Sequence, residues 1–227
     1  MKLRFVSLFT LALAAAACGG SKQEAKDAHT TAADLSPMDE LKAIPTDLDA
    51  EVTALTKPID ETQAVIEQIT SIPTRHKINA GEVMGMARGT LDGGKVEVSL
   101  KGDASAEAKA ELKAALEHLA QVVVALKATP DRVASLTKKV AAATAKVPVL
   151  GTKITAEASV KASNPFASAD SKAKAQADSQ AVAKVQQDVT GKINEVQQKV
   201  TSIPASATGA LGKLAAAFAG GASASTK

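Results

Sequence analysis

Apolar residues recur every three or four positions from Leu41 to Ile72, through Ile44, Leu48, Val52, Leu55, Ile59, Ile66 and Ile69, with Thr62 filling one slot. Such spacing is the stripe of a helix that packs along one side. Ser36-Pro37, with Asp39 three residues after the serine, marks its start. Pro45 and Pro58 fall inside the stripe, and a proline removes a backbone donor and clashes with the preceding turn. The pattern therefore predicts a short helix to Ala43 and a longer one from Thr46 to Ile72, bent or broken at Pro58. Leu112, Leu116, Leu119, Val123 and Leu126 alternate fours and threes and predict a helix over 105–128. Val133, Leu136, Val140, Ala143 and Val147 predict the next, opened by Thr129 as N-cap with Pro130 at the first helical position. So short a connection makes the two an antiparallel helical hairpin. The longest stripe is Val182, Val185, Val189, Ile193, Val196, Val200 and Ile203 within 168–203, wet on its other face and close to a coiled-coil pattern. Leu211, Leu214 and Phe218 suggest a last weak helix within 204–220.

Elsewhere the period drops to two. Val96, Val98 and Leu100 alternate with Lys95, Glu97, Ser99 and Lys101 behind Asp92-Gly93-Gly94, a turn sequence, and 83–91 is the natural partner strand. Ile154, Ala156, Ala158 and Val160 alternate with Lys153, Thr155, Glu157, Ser159 and Lys161. The predicted fold class is α+β, helix-dominated: long amphipathic helices packed on a small three-stranded antiparallel sheet. The alternative is an all-α elongated bundle with one β-hairpin. One echo runs through the chain: VIEQITSIP, with Val65, Ile69, Ile72 and Pro73, resembles VQQKVTSIP, with Val196, Val200, Ile203 and Pro204. It reads as either an internal duplication or the coincidence of low-complexity helices.

The first seventeen residues are of another kind. Lys2 and Arg4 precede an uncharged, mostly apolar run from Phe5 to Ala17, interrupted only by Ser7 and Thr10, and Cys18 follows. A charged start, a short apolar stretch and small residues are the physical requirements of an export signal, and the run is too short to cross ~30 Å of hydrocarbon, which takes about 20 residues. Here the chain resembles bacterial lipoproteins, through Ala15-Ala16-Ala17-Cys18, although such signals prefer leucine where Ala15 stands. The resemblance covers residues 1–20. It implies cleavage before Cys18, acylation of its sulfur by palmitate-like chains, and, with Gly19 rather than aspartate next, retention at the outer membrane. At ~0.8 kcal/mol per buried CH₂, two or three chains hold durably where one does not. Residues 18–35 are small and polar and read as the lipidated tether, of reach roughly 23 Å as a flexible coil. The folded domain then occupies 36–220, and 221–227 read as a frayed tail.

Composition removes several functions. The net charge of +3 falls to +1 once Lys2 and Arg4 leave, with both signs interleaved, whereas nucleic-acid binding needs clustered positive charge. There is no Trp or Tyr, and beyond the leader only Phe166 and Phe218 are aromatic, so stacking platforms for bases or sugars are missing. The lone cysteine allows no internal disulfide. Chemistry is scarce: His29 lies in the tether, His76 within Arg75-His76-Lys77 at a helix end suited to cations, and His118 beside the apolar stripe. Met84 and Met86 are soft metal donors by type, but thioethers more often fill core gaps. Glu107, Glu111 and Glu117 share a helix with Lys109 and Lys113, a solvated charged face. Catalytic, cofactor and metal sites are therefore each expected to be none. The expectation is a non-enzymatic lipoprotein with a structural or protein-interaction role, its stripes open to a partner or a second copy. The alternative is a carrier that holds a lipid or small hydrophobic ligand among its alanines.

Overall fold

The computed structural model describes residues 36–102 and 104–219. The leader 1–17, Cys18, the tether with His29, and the tail 221–227 lie outside the described residues. Five helices account for the secondary structure of the described part: α1 (Pro37–His76), α2 (Ala80–Leu91), α3 (Ala106–Lys127), α4 (Thr129–Ser163) and α5 (Ala169–Ala219). No strand occurs among the described residues, which overturns both the predicted three-stranded sheet and the single hairpin of the alternative.

Each predicted strand fails for its own reason. In 153–161 the buried side chains are Ile154 and Ala158, one helical turn apart, with Leu150 and Gly151 a turn earlier, while Val160 is 71% exposed. Alanine at 156 and 158 satisfies either period, and the helical one wins because α4 enters this segment already formed. In 83–91 the buried set is Val83, Ala87 and Thr90, again spaced by four and three. Asn79 caps α2, its side-chain oxygen accepting from the Glu82 N–H at 3.2 Å. Gly93 takes a positive φ of 97°, as its sequence foretold, but it ends α2 rather than joining two strands: its N–H bonds the Thr90 carbonyl and the Gly94 N–H bonds that of Gly89. Of the predicted strands, only 95–101 stays outside the helices. Val96, Val98 and Leu100 are half-buried against the helices, and the Lys101 N–H donates to Glu82 Oε2 at 3.1 Å.

Gly85 stands on the exposed side of α2 with nothing within 4 Å of where a Cβ would sit. Gly85→Ala is expected to stabilise the protein by about 0.5–1 kcal/mol, read by chemical denaturation. Unchanged or lowered stability would refute the open helical site.

The prolines do not break α1. It runs forty residues through Pro45, Pro58 and Pro73, all three buried, because each ring lies on the same stripe as the leucines and isoleucines around it. The stripe keeps its phase across every proline, so packing holds both flanks in line and outweighs the lost backbone bond. Thr62, 2% exposed, completes the stripe by donating its hydroxyl to the Pro58 carbonyl at 3.0 Å. Likewise α5 continues through Pro204, so the predicted weak terminal helix is the last third of a single helix of 51 residues, about 75 Å long.

The predicted α3–α4 hairpin is also corrected. Thr129 is not an N-cap; it lies inside α4, fully buried, and its hydroxyl donates to the Ala125 carbonyl at 3.0 Å. Ala128 links the helices with near-helical φ −80° and ψ −8°, so the chain runs on instead of turning back. Polar side-chain pairs show the result: Glu111 meets His76, His118 meets Glu61, Lys139 meets Glu51 and Lys146 meets Glu40. Positions rise along α3–α4 as they fall along α1, which makes α3–α4 one antiparallel companion of α1. Helix α5 lies parallel to α1, with Lys199 Nζ 2.9 Å from Asp49, and antiparallel to α4, with Gln186 donating to the Val147 carbonyl at 3.1 Å. Gly151 makes room for that side chain, since a Cβ there would stand 2.0 Å from the Gln186 amide.

The rod therefore has three long strands of helix and two cores set end to end. One holds Leu41, Leu48, Val140, Ile154, Ile193 and Val200 among others; the second holds Ile69, Val83, Leu116, Leu119, Leu214 and Phe218, with α2 packed over it. Ile59 touches both. The echoing segments fall in different cores, Val65 to Ile72 in the second and Val196 to Ile203 in the first, so the bundle does not bring them side by side.

Candidate functional site

Two ends of the rod carry what chemistry there is. At the first, α1 begins. Ser36 caps it, accepting from the Asp39 N–H at 3.2 Å, and Pro37 occupies the first turn. Beside it α4 and α5 meet in a tight turn over 164–168. Asn164 organises that turn: its side-chain oxygen accepts from the Phe166 N–H at 2.9 Å and its carbonyl from the Ala167 N–H at 3.2 Å. Ser168 then opens α5, accepting from the Ser171 N–H at 3.2 Å. The turn holds Phe166 outward, 95% exposed. A groove between the start of α1 and this hairpin is floored by Met38, Ile154 and Ala158 and edged by Lys161, Lys174 and Asp178, which fixes Ser36 near the hairpin's end.

At the opposite end the basic knot acquires a partner. Arg75 and His76 lie in the last turn of α1 and Lys77 closes it in the left-handed region, φ 54°. Glu111 of α3 sits between them, Oε2 2.5 Å from His76 Nε2 and Oε1 2.5 Å from the Arg75 guanidinium. The hydrogen bond from His76, joined by Arg75, holds the Glu111 carboxyl below its ordinary value against the opposing pull of desolvation. Sequence reasoning placed Glu111 on a solvated face with Glu107 and Glu117; pairing across α1 and α3 is visible only once the register of the two helices is known. His118, half exposed, lies 3.8 Å from Glu61.

Because Glu111 titrates lower in the folded chain than in the unfolded one, its contribution is present above the ordinary value of 4.5 and is lost as pH falls through the folded value. Glu111→Gln is expected to cost about 1 kcal/mol at neutral pH, and its gap from wild type should close on acidification below that value. Denaturation curves at a series of pH values check this; a gap unchanged into acid would refute it.

Met84 and Met86 are both half-buried against the second core, and two residues apart on a helix they diverge by roughly 200°, so they do not converge on one ion. Among the described residues no three His, Cys, Asp or Glu side chains gather to hold a metal. No described helix is long and apolar enough to cross a membrane. The depressions between helices are open grooves with polar edges, as between Pro45 and Lys199 or between Pro148 and Gln187. No family model, curated protein or solved structure matches this chain.

Proposed function

We propose that the protein is a lipoprotein anchored in the outer membrane through acyl chains on Cys18 and facing the periplasm, where its rod has a non-enzymatic, structural or protein-interaction role. The observation that carries the structural role is the rod itself. A helix of 51 residues, with α1 and α3–α4 laid against it, sets its two ends about 75 Å apart, and the chain enters at one of them. An anchor attached through residues 18–35 would then hold the α1 start near the bilayer and project the second core away from it. Such a spacer needs stiffness, which the continuous stripes supply.

A carrier would need an apolar chamber, whereas most alanines of the described chain face outward, the buried Ala87, Ala115, Ala207 and Ala210 pack into the second core, and the grooves between helices are open. The stripe of α5, from Val182 to Leu214, is likewise buried against its own chain. A partner would accordingly meet the charged flanks or an end of the rod, not the stripes.

The test is fractionation of cell envelopes after feeding a palmitate analogue. Wild type is expected in the outer-membrane fraction and labelled, and the Cys18→Ser variant soluble and unlabelled. An unlabelled wild type, or a variant that stays with the membrane, would overturn the anchor.

A further inference from the structure

We propose that the α4–α5 turn is a membrane-contacting tip, with Phe166 inserted into the interface of the same bilayer that holds the anchor; this rests on the lipoprotein reading above. Of the two aromatic residues beyond the leader, Phe218 is 1% exposed and Phe166 is 95% exposed, so the chain places one aromatic ring in its core and the other in full contact with solvent. The ring is not on a floppy strand. Asn164 pins the turn through two hydrogen bonds and Ser168 caps the start of the next helix, so little conformational freedom is lost when the ring enters a new phase.

The surroundings match an interface. From Ala162 to Ala169 the sequence ASNPFASA carries no charge, eight residues bounded by Lys161 on one side and Asp170 on the other. Lys172 and Lys174 follow, while Glu157 and Asp178 lie further back along the helices. An uncharged, small-residue tip with one large apolar side chain and nearby lysines can enter the headgroup layer without burying a charge, and the lysines favour anionic lipid there. Val160, 71% exposed, adds apolar surface a little behind the tip.

Position selects the lipid surface over other occupants. Ser36, where the tether joins, lines the groove shared with Lys161 and Lys174, so the tether and the tip leave the rod at the same end. In that reading Cys18 stands only 18 residues before Ser36, so the anchor ties this end of the rod to the bilayer and not the other. A weak, single-ring contact that would be negligible for a free protein then acts at high effective concentration. Two attachments, acyl chains and ring, would also set the rod's tilt, which a single attachment leaves free.

The chain contains no tryptophan, so Phe166→Trp is a sole reporter. The full-length lipidated protein carrying it is reconstituted into vesicles of phosphatidylethanolamine and phosphatidylglycerol, with and without brominated acyl chains. A second protein carries Val124→Trp, a site on the flank of α3 that is 68% exposed. The expected result is blue-shifted emission quenched by bromine for Phe166→Trp, and water-like, unquenched emission for Val124→Trp. Acylation of Cys18 is read by mass in the same preparations. Acylated protein with water-like emission from Phe166→Trp would overturn the tip alone. Blue-shifted emission that bromine does not quench would overturn it in favour of a protein contact. An unmodified Cys18 in the membrane fraction would overturn the anchor and the tip together.

Discussion

Phe218→Ala is expected to lower the free energy of unfolding by about 3–5 kcal/mol, the range for removing a buried aromatic ring. Phe218 is 1% exposed near the end of α5 and belongs to the core that also holds Ile72, Val83, Leu116 and Leu214. Helices from four parts of the chain converge there, so the hole left by the ring has walls that cannot all close. Partners at this level include Ala87, Ala115 and Ala210, all buried, which are too short to fill the space. The loss should fall first on α2. Twelve residues with three glycines among them make a helix too short to persist without tertiary contacts, and its buried residues Val83 and Ala87 lie in the same cluster. Urea denaturation gives the total, and amide exchange across 80–101 gives its place. A change under about 1 kcal/mol would mean that the far core repacks, against the close packing of interiors.

What the chain disclosed in advance follows the strength of its periodicity. Leucine and isoleucine at fixed three- and four-residue steps marked α1 and α3, since no other period accommodates Leu112, Leu116, Leu119, Val123 and Leu126. Alanine-rich stretches disclosed little, because alanine suits a helix face and a strand face alike; 153–161 was misread on that account. Prolines misled in the opposite sense. Local sterics favour a break at Pro45, Pro58 and Pro204, but the decisive fact, that each ring stays in phase with a stripe packed against two other helices, is tertiary. For the same reason Ala128 gave no sign that α3 and α4 run on. At the sites, Cys18 is proposed from its neighbours alone and lies outside the described residues. Phe166 had a local signal, an uncharged run around Asn164-Pro165, which becomes informative only when Ser36 is found at the same end. The bridge from Glu111 to Arg75 and His76 had none, since helix register is not written in any one segment.

The two cores make the second large effect separable from the first. Ile193, 1% exposed, lies in the core nearer the chain's entry, with Leu48, Val140 and Val200. Ile193→Ala is expected to cost about 2–5 kcal/mol, by the same combination of lost burial and residual cavity. It stands 25 residues from Phe218 along one helix, about 37 Å, and the two share no cluster, so the double variant should show the sum of the single losses to within about 0.5 kcal/mol. Location distinguishes the variants further. Amide exchange in Ile193→Ala should rise in the first halves of α1 and α5 and in α4, while α2 and α3 keep their protection; in Phe218→Ala the order reverses. Because α1 and α5 pass uninterrupted through both cores and Ile59 touches each, denaturation should remain a single transition for wild type. Loss of protection spread evenly along the rod in either variant, or strong departure from additivity, would show that the two clusters act as one core.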